Sequence, residues 1–171
     1  MRRHFPRAVA LGRHKALLAC ALCWHLAAAA ADVVPSHLTG TWGTAESLYA
    51  DNAEQVDIYL QPDGYGIMAG SAPPARRLDG KDDGKPALRA IAGFPLRATV
   101  DADMLTARLI ALDPRGEDKA RRTVITCTFD AAGPTLTCTI PGRPPVVMKR
   151  RSATVPEETA RMLEQVRSVV R

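Results

Sequence analysis

Beyond residue 31, the side chains able to do chemistry are few: His37, Cys127, Cys138, and carboxylates of which Asp82-Asp83 and Asp101-Ala102-Asp103 are close pairs. Paired carboxylates can act as acid and base, a Cys beside a His as a nucleophile, and a His/Cys cluster as a zinc site. His37 stands far from both cysteines in sequence and near the start of the segment, so no Ser-His-Asp, Cys-His or zinc constellation is expected. The acid pairs sit in stretches of turn composition, where Asp serves turn formation. Asp79-Gly80-Lys81-Asp82-Asp83-Gly84 has the outline of a calcium loop, but Lys81 stands where a ligand belongs and no Glu closes it, so a solvated turn is expected. Gly64-Tyr65-Gly66 reads as part of a hairpin and not as a phosphate cradle. No catalytic residue, metal or cofactor is assigned, and an enzyme working through carboxylates alone is the least favoured class.

The poverty of this set comes from what precedes it. Arg2, Arg3, Arg7, Arg13 and Lys15 lead into an apolar run, Ala16 to Leu26, and then Ala29-Ala30-Ala31, the layout of a secretory signal peptide. The full chain of 171 residues carries 23 Lys and Arg against 18 Asp and Glu, a net charge of +5. Five of those bases and none of the acids lie in the leader, so a chain beginning at Asp32 holds 18 of each and is neutral. Such a balance lacks the basic footprint of a nucleic-acid partner. The apolar run is Ala-rich, contains His25 and falls short of a spanning helix, so no membrane span is expected after cleavage. Leu17-Leu18-Ala19-Cys20 loosely matches a lipobox, but the apolar run continues past Cys20, so cleavage is favoured over lipid anchoring there. The expected location is periplasmic or secreted, which makes Cys127 and Cys138 candidates for a structural bridge.

One register supports that bridge. If Cys127 faces Cys138 in an antiparallel hairpin, then Ile125 faces Ile140 and Phe129 faces Leu136 on the same side, while Thr126–Thr139 and Thr128–Thr137 pair on the other. Ala131-Ala132-Gly133-Pro134 remain as the turn. Other segments repeat the pattern. Val56, Ile58 and Leu60 alternate with polar residues before the Pro62-Asp63-Gly64 turn and a return over Tyr65–Ala69. Leu96, Ala98 and Val100 are followed by Leu105, Ala107 and Leu109, with Ile110 and Leu112 changing parity as at a bulge. Ala87–Ile91, Val146–Lys149 and Leu38–Trp42 are weaker strand candidates. Residues 45–55, 71–86 and 113–122 read as loops. The count gives about eight strands in an all-β, antiparallel, up-and-down meander, sandwich or barrel.

The tail has a different period. Thr154 as N-cap, Pro156 in the first turn and Glu157 at the capping-box position predict a C-terminal α-helix that places Thr159, Leu163, Val166 and Val170 against the sheet. The organisation is then a leader at 1–31, a β domain at 32–151 and a helix at 152–171 packed on it.

Leu38-Thr39-Gly40-Thr41-Trp42 resembles the Gly-x-Trp signature that opens the first strand of lipocalins, avidins and related small barrels. The resemblance loosely covers Leu38 to Arg151, with Gly40 and Trp42 as its explicit motif. It implies a closed barrel in which a base after the last strand, at Lys149, Arg150 or Arg151, lies over Trp42 and closes one end, a contact worth about 0.5–2 kcal/mol. Trp42 is then a packing plug. With one tryptophan left after the leader, biotin binding is excluded. A cavity, if not filled by side chains, would be lined by Leu, Ile, Val, Ala and Met and suit an aliphatic ligand.

In a closed meander the first and last strands adjoin. Residues 32–70 hold six acids and no Lys or Arg, and 143–171 hold seven Lys and Arg against three acids, so the Lys149-Arg150-Arg151 run is expected to neutralise Glu46, Asp51, Glu54 or Asp57 more than to bind an anionic partner. The expected function is non-enzymatic binding, as a monomer, of a small apolar ligand or an envelope protein. The alternative is a protein-binding module, such as an inhibitor of a secreted hydrolase, acting through residues 45–55 and 113–122.

Overall fold

A computed structural model describes residues 34–75 and 88–170. The leader, Cys20 and the Asp79–Gly84 turn lie outside those residues. Eight strands, β1 (Gly40–Gly43), β2 (Gln55–Leu60), β3 (Tyr65–Ser71), β4 (Ile91–Asp101), β5 (Met104–Leu109), β6 (Val124–Asp130), β7 (Thr135–Thr139) and β8 (Val146–Ser152), pair antiparallel in sequence order. β8 returns to β1 and closes the barrel. Among the described residues there are also two α-helices, α1 (Glu117–Arg122) and α2 (Glu157–Val170). Neither is long and apolar enough to cross a membrane.

The period-two pattern decides which side chains enter the barrel. Val56, Ile58 and Leu60 of β2, Leu96 and Ala98 of β4, Leu105 and Ala107 of β5, and Ile125 of β6 share one buried cluster with Trp42, Leu136 and Met148. The β6–β7 hairpin adopts the register read from the cysteines: Thr126 pairs with Thr139, Cys127 with Cys138, Thr128 with Thr137 and Phe129 with Leu136. The disulfide joins Cα atoms 4.0 Å apart inside that cluster. Ile58, Leu60, Leu96, Leu105, Ile125, Leu136 and Met148 are all fully buried, so the interior is occupied by the protein's own side chains.

A second apolar cluster lies outside the barrel. Leu163 of α2 packs with Leu48, Ile67 and Ala69, and Tyr59 and Tyr65 lie against them. Tyr59, Tyr65, Ile67 and Ala69 are outward positions of β2 and β3, and Leu48 comes from the loop between β1 and β2, so the helix covers a sheet face that would otherwise be exposed. Arg167 pins the helix to the β2–β3 turn through Asp63 at 2.6 Å, and its guanidinium lies 5.1 Å from the centre of the Tyr65 ring. Arg97 stacks on the same ring at 4.4 Å.

Several local expectations are corrected. The Pro156 carbonyl accepts the first helical bond, from Ala160 N–H, so α2 starts two residues after the capping-box reading. The Thr154 hydroxyl instead meets that of Ser152, and its carbonyl accepts from Thr41 Oγ1, because tying the chain to β1 competes with capping. Thr159, Leu163 and Val166 are buried as expected, but Val170 is exposed beyond the sheet. Residues 113–122 are not a plain loop: they form a 3-10 turn at Pro114–Gly116 and then α1. The parity change at Ile110 and Leu112 is not a bulge, because β5 ends at Leu109 and Ile110 makes one last bond to the Pro95 carbonyl. The bulge lies between Thr41 and Trp42, where β1 meets β8. Within 88–91 only Ile91 belongs to a strand, as the first residue of β4.

Candidate functional site

At one end the barrel is closed from within. The 34–39 segment folds back so that Leu38 joins the core, and its carbonyl accepts the Trp42 indole N–H at 2.9 Å. Of the three bases expected over Trp42, the structure places Arg150 there, its guanidinium carbon 5.9 Å from the ring centre. The same side chain donates to the Ser36 and Thr39 carbonyls at 2.8 and 2.9 Å, holding the closing segment down. Lys149 pairs across from Gly43 with its side chain exposed, outside this closure. Gly40 has φ of +107°, and a Cβ there would lie 2.2 Å from the Ser152 carbonyl oxygen, which accounts for glycine at the start of the motif. His37 meets Phe129 in a tilted ring contact at 5.0 Å and is exposed. The Gly40, Trp42 and Arg150 constellation is thus a plug with no accessible chemistry.

Arg151, one residue on, faces the opposite way. It forms an ion pair with the fully buried Asp57 and donates to the Glu46 carbonyl at 2.6 Å. The pair passes directly over Gly43, where a Cβ would lie 2.6 Å from both Arg151 Nε and Asp57 Oδ1. Tyr59 O–H donates to Asp57 Oδ2 at 3.0 Å. Burial first, and then the neighbouring Asp57 carboxylate, push the Tyr59 phenol from 10.0 up to about 12, against the opposing pull of Arg151. A phenol held this way is a poor base or nucleophile near neutrality; the cluster serves to fasten β2 and β8 across β1. Of the Lys149-Arg150-Arg151 run, Arg151 is the member that pairs with an acid expected for it, Asp57; Arg143–Glu54 at 2.7 Å and Arg167–Asp63 are further links between the acidic early segment and the basic late one.

The loop between β1 and β2, residues 44–54, is held from two sides. Arg151 takes its start, and Arg89 takes its middle by donating to the carbonyls of Leu48 at 2.9 Å, Ala50 at 3.2 Å, Ala53 at 3.1 Å and Asp51. Asp51 has φ of +53°, so the backbone curls to turn several carbonyls onto one guanidinium. Bracing leaves Tyr49 projecting, 71% exposed.

Between this loop, α2 and the outer faces of β3 and β4 runs a groove of about 790 Å³. Five of the ten exposed large apolar side chains among the described residues line it: Tyr49, Ile91, Leu112, Met162 and Val169. Its floor is Ile67, Ala69, Gly93 and Pro95, and Glu158 is its one charged lining residue. Concentration of exposed apolar surface in one place marks a binding region more than scattered exposure does.

No protein-family model matches the chain, and no curated protein does. Among solved structures it is similar to the crystal structure of a lipoprotein, YedD, from Klebsiella pneumoniae subsp. pneumoniae MGH 78578, at 10% identity over 81% of this chain and 91% of that one, with a TM-score of 0.43.

Sequence reasoning named Gly40, Trp42 and three candidate bases, of which only Arg150 lies at the closure, and it missed the groove. Its walls come from separate regions, and the signal that existed, the uncharged stretch Ile91-Ala92-Gly93-Phe94-Pro95 between strand candidates, had no partner in sequence to explain it. Arg89 was also missed, because a guanidinium gathering distant carbonyls leaves no motif. Among the described residues, no three His, Cys, Asp or Glu side chains gather as a metal site would need.

Proposed function

We propose that the protein is an exported, monomeric, non-enzymatic barrel that binds a small apolar ligand or a protein partner of the cell envelope, and that it does so on its outer wall. The observation that carries this reading is the groove between α2 and β4: the interior is taken up by core side chains, while half of the exposed large apolar side chains among the described residues line this groove. Export rests on the leader, with cleavage after Ala31 favoured over lipid attachment at Cys20. A protein-binding module, such as an inhibitor of a secreted hydrolase, is the second reading. It is favoured by the Arg89-braced loop that presents Tyr49, since a loop ordered before binding pays less entropy on association.

Mass spectrometry of the protein purified from its own host tests these points together. The expected intact mass is that of a chain beginning at Asp32; a diacylglycerol adduct on Cys20 would reverse the anchoring proposal. Under native conditions a reproducible bound mass or one co-purifying protein, lost in Met162→Glu, is the expected result. A partner that remains bound to Met162→Glu removes the groove from the proposal.

A further inference from the structure

The wall of the groove contains a strand edge with no neighbour. β4 pairs with the whole length of β3 from Ile91 to Arg97, but β5 pairs with it only from Leu96 to Asp101. Beyond Leu109 the chain turns away after the Ile110 N–H bond to the Pro95 carbonyl. Backbone groups alternate sides along a strand. Because the Pro95 carbonyl points to the β5 side and the Ala98 N–H bonds back to Gly64, the N–H and C=O of Ile91 and Gly93 also point to the β5 side. Among the described residues no strand meets them. The ribbon continues past β4, with Ala72 N–H on the Ala90 carbonyl and Ala75 N–H on that of Leu88, so the edge stands out from the barrel rim.

Natural sheet edges are blunted by charge, proline or short length. This one reads Ile-Ala-Gly-Phe, without charge, and all four residues are exposed. Pro95 bounds it, having no N–H to give and a carbonyl already engaged. The outward positions beside the edge, Ile91 and Gly93, open into the groove next to Leu112 and Val169.

We propose that the β4 edge at Ile91–Phe94 is the docking site of an extended segment of a partner polypeptide, which continues the ladder where β5 leaves it and sets alternate apolar side chains into the groove. This deepens the outer-wall reading and rests on it. Unpaired backbone donors and acceptors call for another backbone, and the adjoining apolar trough calls for side chains at every second position. An aliphatic small molecule would fill the trough but leave the edge groups unmatched.

The test uses the full chain from Asp32 and a probe selected on it: phage-displayed decapeptides with apolar residues at alternate positions, panned against a library of the same composition at helical spacing. Enrichment from the alternating library is expected. With the selected peptide bound, amide exchange at Ile91 and Gly93 slows at least tenfold. Gly93→Pro removes a donor that β3 does not use and weakens binding at least tenfold, as does N-methylation of alternate peptide amides. Should Gly93→Pro fail to fold, Ile91→Lys is the edge variant. Enrichment of the helical library, or binding indifferent to both the edge variant and N-methylation, overturns the proposal. In that case loss of binding in Met162→Glu leaves the groove reading standing, and indifference to Met162→Glu removes both. Self-association of the peptide-free protein that the edge variant abolishes assigns the edge to a second copy and also overturns the proposal.

Discussion

Trp42 and Arg150 show how one residue acts through the carbonyls around it. The indole is fully buried, donates to Leu38, and is overlain by a guanidinium that also holds Ser36 and Thr39. Trp42→Ala empties the closed end and should destabilise by about 3–5 kcal/mol in urea unfolding. Arg150→Lys keeps the charge but loses the planar fork that reaches both carbonyls, and a smaller loss of about 1–3 kcal/mol is expected. Equal stability of Arg150→Lys and wild type would mean that charge alone closes the end. Tyr59 offers a second test. Its phenol is raised in the folded state, so its contribution to stability is complete below pH 10 and is lost as pH climbs toward 12. Absorbance titration of wild type minus Tyr59→Phe should show one tyrosine ionising near pH 12, and Asp57→Asn should bring that midpoint down. An ionisation at pH 10 in wild type would show that Asp57 and burial do not act on it.

Among elements, the β6–β7 hairpin is the most strongly specified. Its threonine pairs face out, its apolar pairs face in, and the disulfide closes it at a separation of 11 residues. In the chain-entropy model the cross-link is worth about 3 kcal/mol. Denaturation with and without reductant should differ by about that much. Both cysteines are fully buried, so reduction of the native protein should proceed no faster than unfolding. Rapid reduction without loss of structure would show a hairpin that opens locally. α2 depends instead on its surroundings, with Leu163 anchored on β3, Val166 buried and Arg167 tied to the β2–β3 turn.

For the whole molecule, closure is both a topological and an electrostatic event. β1 pairs with β8, and the ion pairs Arg151–Asp57, Arg143–Glu54 and Arg167–Asp63 bring acids from the start of the chain to bases from its end. Only the first is well buried; the exposed Arg143–Glu54 pair adds little to stability. With one end plugged and the interior filled, the binding proposed above falls to the outer wall. There the strands have unequal lengths: β4 has 11 residues and β5 has six, and the excess of one over the other creates the free edge.

Alternation, turn residues and the cysteine spacing by themselves determined the β class, the register of the β6–β7 hairpin and the inward set from Val56 to Leu136, because each depends on neighbours within a dozen residues. The Gly-x-Trp motif went further and named three bases for the closure. Only the tertiary structure decided among them, since the β1–β8 pairing sets Arg150 opposite Trp42 on the face of core residue Met148, while Arg151 on the other face meets Asp57. It likewise moved the start of α2 past Thr154, whose carbonyl is held by Thr41 from the far end of the chain. The groove and the β4 edge were beyond local reading for the same reason. They exist where β5 stops, where α2 comes to rest and where Arg89 draws a loop together, and those are contacts between segments that no periodicity joins.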